Sequence, residues 1–360
     1  VATQSAVGIR DDVVWPPRLL LPQRPPAVVY LDLNHYINMA KVIAGKTTVE
    51  GYPELLASAR RAAAEGRAVF VLSATHLMEV TAITDPKQRS NIADVMAELS
   101  GFTYMLGRPL VEELEVEGSL AELLGPEIID LKPINLVGYG AAWPFGMVTS
   151  WSPQGEGKEA FERIRATIGP DGAEQFLAEF RREAEMVLLH GGDTGHPTGN
   201  WRSMLANRAS REIGQAALID ADPNYPMDKL RAVVSAGELL YELNDMVASR
   251  IAQAGKSLAE VLPTAEVALA FTDGMPSTRV AISMKTHYFK NADTRWSTND
   301  VSDIDALSVA VAYCDAVYSD KKAMNAVTSS PDLRLFGTFI PRKPGQMAAW
   351  LDARRAPGAD

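Results

Sequence analysis

The sequence predicts an α/β chain with a central parallel sheet, elaborated by a large, mainly helical insertion. Near both ends of the chain, short apolar runs (Ala27–Leu33, Ala68–Leu72 and Ala316–Ser319) alternate with stretches of helical period, the pattern of parallel strands buried on both faces. From Gly101 to about Thr294 no parallel-strand pattern recurs, and amphipathic helical stripes take its place. The organisation read from this is an N-terminal arm over 1–26, the first half of a core over 27–100, the insertion over 101–294, and the second half of the core over 295–360.

Residues Val1–Pro26 are rich in Pro and Arg and read as an arm laid over the surface. The run Ala27–Leu33 follows, interrupted near its end by Asp32. A carboxylate in a buried strand is costly unless it is paired, hydrogen-bonded or metal-bound, so Asp32 marks a candidate site. On an extended strand Asn34 shares its face and adds a neutral oxygen. Leu55, Leu56, Ala59 and Ala63 then give a helix over Tyr52–Glu65, closed by Gly66.

After the second strand, Ala68–Leu72, Ser73 to Thr75 open a helix that carries Glu79 about one turn in. A capping role explains Glu79 poorly, because the residue three before it is His76 rather than Ser or Thr. The plain alternative is that His76 and Glu79, on one helix face, partner each other. Asp85–Leu99 gives a further helix.

Within the insertion, Lys158–Leu189 carries Phe161, Ile164, Ile168, Phe176 and Phe180, and Asp228–Ala254 carries Leu230, Val233, Leu240, Leu243, Val247 and Ile251. Both stripes read as core packing. The connectors GYGAAWPFG (138–146) and GGDTGHPTGNW (191–201) are Gly-rich and suited to move as lids. The second lacks the Lys-Ser/Thr of a phosphate-binding loop and follows a helix, so it reads as a connector.

The chain returns at Arg295. Ser297, Thr298, Asn299 and Ser302 supply cap chemistry, and a helix beginning near Ser302 runs through the apolar stretch Ile304–Tyr313 into a strand ending before Asp320. Asp300 and Asp303, three apart, face one way, whereas Asp305 is rotated far round the helix. A short helix over Lys321–Val327, a strand over Asp332–Ile340 and a closing helix over Gln346–Arg354 complete the chain.

Composition narrows the function. With 47% apolar and 22% charged residues the chain is ordinary globular protein rather than disordered. A net charge of -10 argues against a non-specific coat on DNA, so a nucleic acid would have to meet a local basic patch or a bound metal. The lone Cys314 cannot form an intrachain disulfide and suits a reducing compartment. No run approaches about eighteen apolar residues, and Val1–Pro22 lacks a basic start followed by an apolar stretch; the expectation is a soluble, cytoplasmic protein with no membrane partner.

Asp32, Glu79, Asp303 and Asp320 each end or follow a strand or begin the helix beside one. In an open parallel sheet the carboxyl ends of the strands form the ligand crevice, so these four can converge. Clustered carboxylates repel unless cations neutralise them, and an all-oxygen set suits Mg²⁺ or Mn²⁺ rather than Zn²⁺, with Asp300 and Asn34 as additional donors. Such centres act on phosphate esters, and phosphodiester hydrolysis is the natural reaction class. Lys285, Lys290, Arg295, Lys321 and Lys322 flank the last motif and can contact a nucleic-acid backbone; solvated surface lysines are an equally good account of each.

YLDLN (30–34), the Glu79 helix after a second apolar strand, and DIDALSVAVAYCDAVYSDK (303–321) together resemble the PIN-domain nuclease family. The resemblance covers about 27–99 and 295–351. It implies a PIN-like three-layer fold, with Asp32, Glu79, Asp303 and Asp320 as Mg²⁺ or Mn²⁺ ligands. Ser319 matches the residue, often Thr, before the last acid, and with Arg295 and Lys321 it is a candidate substrate contact. Asp305 rather than Asp303 precedes the Ala-Leu pair that often follows the third acid, but helix phase and distance to Asp320 favour Asp303. The implied activity is RNA cleavage in a toxin or defence setting, with a homodimer or an inhibitory protein as partners to expect. The alternative is a PIN-like binding or assembly module without catalysis, acting through the insertion. A dehalogenase-type phosphatase fits less well, since Asp32-Leu33-Asn34 stands where Asp-x-Asp is wanted.

Overall fold

In the computed structural model, residues 13–46, 49–125, 132–147, 155–192, 198–222, 224–291, 293–356 and 358 are described. A two-residue strand β1 (Leu19–Leu20) precedes the core strand β2 (Ala27–Leu31). Asp32 then turns the chain into α1 (Leu33–Ile43), and α2 (Tyr52–Ala64) leads to β3 (Ala68–Val71). Next come α3 (Ala74–Ala82), α4 (Pro86–Ser100), β4 (Thr103–Met105), α5 (Arg108–Leu124), β5 (Ile134–Asn135) and β6 (Val137–Tyr139). The helical stretch comprises α6 (Glu156–Leu189), α7 (Thr198–Ala221), α8 (Leu230–Gly237), α9 (Asn244–Gln253), α10 (Leu258–Val261), α11 (Ala265–Gly274) and α12 (Pro276–Lys290). The chain closes with α13 (Thr298–Tyr313), β7 (Ala316–Tyr318), α14 (Lys321–Thr328) and α15 (Pro344–Asp352). It is a mixed α/β protein in which helices predominate.

β2 is the centre of a parallel sheet of order β3-β2-β7, with Val28 opposite Val69 and Leu31 opposite Tyr318. Every β2 residue is buried, as a strand covered on both faces requires. Its alternating side chains feed two cores. Val28 and Tyr30 pack with α5, α12, α13 and α14, while Val29 and Leu31 pack with α1, α2, α4 and α15.

Several sequence expectations change. The insertion does hold strands: β4 pairs antiparallel with β6 in a separate two-stranded sheet, and Tyr104 makes a single parallel bridge to Leu72, just past the end of β3. Three residues are too few to show a period, and Gly101 and Phe102, both at positive φ, hide the strand behind a sharp turn. The expected helix Lys158–Leu189 is present but broken at Gly169, φ 80°, ahead of Pro170. Asp228–Ala254 is interrupted by a π-helical turn, Glu238–Glu242, where buried Glu238 meets Lys285 and Arg108. The expected strand Asp332–Ile340 is instead a 3₁₀ helix over Pro331–Phe336, stopped by Gly337 at φ 67°; Phe339 alone bridges to Ala316. Of the arm, residues 1–12 lie outside the described part, as do 193–197 of the second Gly-rich connector. Among the described residues, no helix is long and apolar enough to cross a membrane.

Candidate functional site

Asp32 follows the last residue of β2 and is the N-cap of α1. Its amide donates to the Tyr318 carbonyl at 2.9 Å, and its carboxylate accepts from the Ser319 hydroxyl at 3.1 Å, so both backbone and side chain are tied to the end of β7. Ser319 is itself buried. Because the strand stops at Leu31, Asn34 does not continue its alternation: it lies in α1, exposed, with its carbonyl accepting from Asn38.

Glu79 is half-buried in α3. The start of that helix is held by His76, whose Nδ1 accepts from the Ser73 amide at 3.0 Å while Nε2 donates to the Leu31 carbonyl at 2.8 Å. Burial lowers this imidazole to about 4, which keeps it neutral and fits those two roles. Both ring nitrogens are therefore spent on backbone, and His76 does not partner Glu79. Burial first, and Asp32 second, push the Glu79 carboxyl up to about 7.

α13 begins at Thr298, a turn earlier than the expected start near Ser302. Ser297 and Asp300 form a reciprocal capping box, with the Ser297 amide donating to Asp300 at 2.9 Å, and Lys322 donates to the other Asp300 oxygen. Asp303, half-buried one turn on, is pushed up to about 8 by burial, then by Asp32, Asp320, Glu79 and Asp300 in that order. Asp320 caps α14 by accepting from the Ala323 amide at 2.8 Å. Among the described residues, neither Glu79 nor Asp303 has an ion-pair or side-chain hydrogen-bond partner.

Asp305 has an opposite environment. Arg208 donates to its two oxygens at 2.6 and 2.8 Å, and Arg108 donates at 3.1 Å. Burial alone would raise this carboxyl; the guanidiniums outweigh it and hold it below its ordinary value. A cavity of about 480 Å³ adjoins this second face of α13, lined by Thr75, Arg108, Trp201, Met246 and Asp305, and none of Asp32, Glu79, Asp303 or Asp320 lines it.

The structure thus brings Asp32, Glu79, Asp303 and Asp320 into one electrostatic neighbourhood at the carboxyl edge of the parallel sheet. They are not gathered onto a point: among the described residues, no three Asp, Glu, His or Cys side chains stand in a ready metal-ion shell. Coulombic influence reaches further than a ligand bond, so the two observations are compatible, and the second sets the spacing. The chemistry of the set, carboxylate oxygens with one hydroxyl and no nitrogen or sulfur, fits a hard divalent cation. Asp300 departs from its expected availability, since the helix cap and Lys322 already use its oxygens.

Of the flanking bases, Lys285 is not a surface group. It is buried, paired with Glu212 and Glu238 at 2.5 Å each, and cannot reach a nucleic acid. Lys290, Arg295 and Lys321 are exposed. Lys322, bound to Asp300, lies over the Tyr288 ring at 4.7 Å from its centroid. Tyr288 was not legible as a site residue: it sits in a long buried run of α12, without a motif to single it out. Its phenol is pushed far up by burial, then by Asp303, Asp300 and Asp320, so this side chain of α12 lies within electrostatic reach of the acids. His35, on the first turn of α1, stacks on Tyr318 with centroids 3.7 Å apart and bonds the Tyr52 hydroxyl at 2.8 Å.

No protein-family model matches the chain, and neither a curated protein nor a solved structure matches it.

Proposed function

We propose that this chain is a PIN-like, metal-dependent endonuclease that hydrolyses phosphodiester bonds, with RNA as its substrate. The observation that carries the reading is Asp303: a carboxyl at the carboxyl edge of a parallel sheet, desolvated, without a basic partner among the described residues, and raised by Asp32, Asp320, Glu79 and Asp300 around it. Such an arrangement is unfavourable in isolation and is relieved by a cation. Asp32, Glu79, Asp303 and Asp320 would hold Mg²⁺ or Mn²⁺, which when bound polarises a phosphoryl oxygen and lowers the pKa of a water.

The chain's own contribution is positional and protonic. Ser319 fixes one Asp32 oxygen, the α13 cap fixes the helix that carries Asp303, and Glu79 and Asp303 must give up protons for a cation to enter. A toxin or defence setting in the cytoplasm, with a homodimer or inhibitory protein as partner, rests on the family resemblance of the sequence. The test is hydrolysis of single-stranded RNA by purified protein: expected with Mn²⁺, abolished by a chelator and restored by added Mn²⁺. Hydrolysis that persists unchanged in chelator would sink the reading.

The absence of a ready metal shell among the described residues favours a second reading, a binding or assembly module with a PIN-like core. That protein would keep its partner affinity in chelator and would show no Mn²⁺-dependent turnover.

A further inference from the structure

We propose that Lys322 and Tyr288 form a phosphate-binding subsite beside the acidic group, the lysine supplying a fixed cation and the phenol a neutral donor. The inference rests on the nuclease reading for its setting, but its observations are separate.

A surface lysine ordinarily roams, and fixing one costs rotamer entropy. Lys322 is already fixed from two sides. Its ammonium bonds Asp300, which is itself buried and locked by the capping box with Ser297, and it lies over the Tyr288 ring. The ring is in turn wedged against Trp296, with centroids 5.5 Å apart. Yet the Lys322 side chain remains 43% exposed, and an ammonium has three donors, of which Asp300 takes one. A preorganised cation with spare donors is therefore presented to solvent at the start of α14, two residues from Asp320.

Tyr288 adds an independent observation. The residue is only 2% exposed, and its hydroxyl has no hydrogen-bond partner among the described residues. A buried donor left unsatisfied is unfavourable, and a ligand that accepts from it recovers that cost. The ring carries the Lys322 ammonium on its face, and that ammonium bonds Asp300, so the phenol stands beside the acidic group. The acids offer no attraction to an anion by themselves; a cation and a neutral donor at their margin do. A phosphoryl oxygen entering between the Lys322 arm and the ring edge meets both groups. Because Tyr288 belongs to the helical insertion, this subsite is completed only by that segment.

The test uses the full chain, a short single-stranded oligoribonucleotide in Ca²⁺, and the same strand with uncharged methylphosphonate linkages as control. Lys322→Gln is expected to weaken binding about tenfold and to reduce the slope of log affinity against log salt by about 0.7, the value for one phosphate contact on a single strand. Tyr288→Phe keeps the ring beneath Lys322, and is expected to weaken binding by about threefold to tenfold with the slope unchanged, since the group removed is neutral. Mn²⁺ affinity, measured calorimetrically, should be unchanged in Tyr288→Phe and unchanged or tighter in Lys322→Gln, because a cation has been removed from beside the acids. The proposal is overturned if either variant binds RNA as the parent does, if the parent binds the methylphosphonate strand equally well, or if Lys322→Gln weakens Mn²⁺. A parent that binds with these signatures but never cleaves in Mn²⁺ would leave the subsite standing and remove the nuclease reading.

Discussion

The Ser319 hydroxyl donates to the Asp32 carboxylate at 3.1 Å, joining the ends of two adjacent parallel strands through side chains. The resemblance makes Ser319 a candidate substrate contact, whereas its observed partner is the first acid. Ser319→Ala should therefore act on the metal rather than on substrate: Mn²⁺ affinity falls about tenfold, as losses of hydrogen bonds to a metal-binding side chain do, and stability falls by about 1 kcal/mol. Calorimetric titration with Mn²⁺ reads the first, and urea unfolding the second. Unchanged Mn²⁺ affinity with weaker RNA binding would return Ser319 to the substrate.

Asp303→Asn should abolish hydrolysis and flatten the pH dependence of metal-free stability. An acid raised from an ordinary value near 4 to about 8 binds more protons folded than unfolded between those limits. Its favourable contribution is complete below about 4 and is lost as pH rises through about 8. The parent should thus lose stability over that window, by a few kcal/mol at most, and the variant should lose less. Thermal unfolding in chelator at a series of pH values makes the comparison; parallel curves for the two proteins count against the assignment.

Asp305→Asn supplies the contrasting case on the same helix. Removing this charge leaves Arg108 and Arg208 partly uncompensated in a buried network, so about 3–5 kcal/mol of stability should be lost. Mn²⁺ affinity of the folded fraction should stay within about twofold of the parent. A selective loss of Mn²⁺ binding without destabilisation would exchange the roles of the two aspartates.

Cation binding should release protons. With Glu79 raised to about 7 and Asp303 to about 8, both are partly protonated near neutrality, and a ligand carboxylate must be ionised. Apparent Mn²⁺ affinity should rise with pH up to about 8 and then level off. Titration at pH 7 in buffers of different ionisation enthalpy gives the proton count directly, and a heat independent of buffer would contradict the proposed ligands.

What the sequence by itself determined is local. Continuous apolar runs specify β2, β3 and β7 as strands buried on both faces, the spacing of Leu55, Leu56 and Ala59 specifies α2, and helical phase separates Asp303 from Asp305. These follow from side-chain direction, which depends only on the backbone period. What only the tertiary structure decided is what each face meets. Lys285 reads as a surface base until Glu212 and Glu238 enclose it, Tyr288 has no motif to single it out until Lys322 is laid over its ring, and β4 becomes a strand because β6 pairs with it and Leu72 bridges it. Each of these joins residues far apart in the chain, and a period of two or 3.6 residues carries no information about partners at that separation.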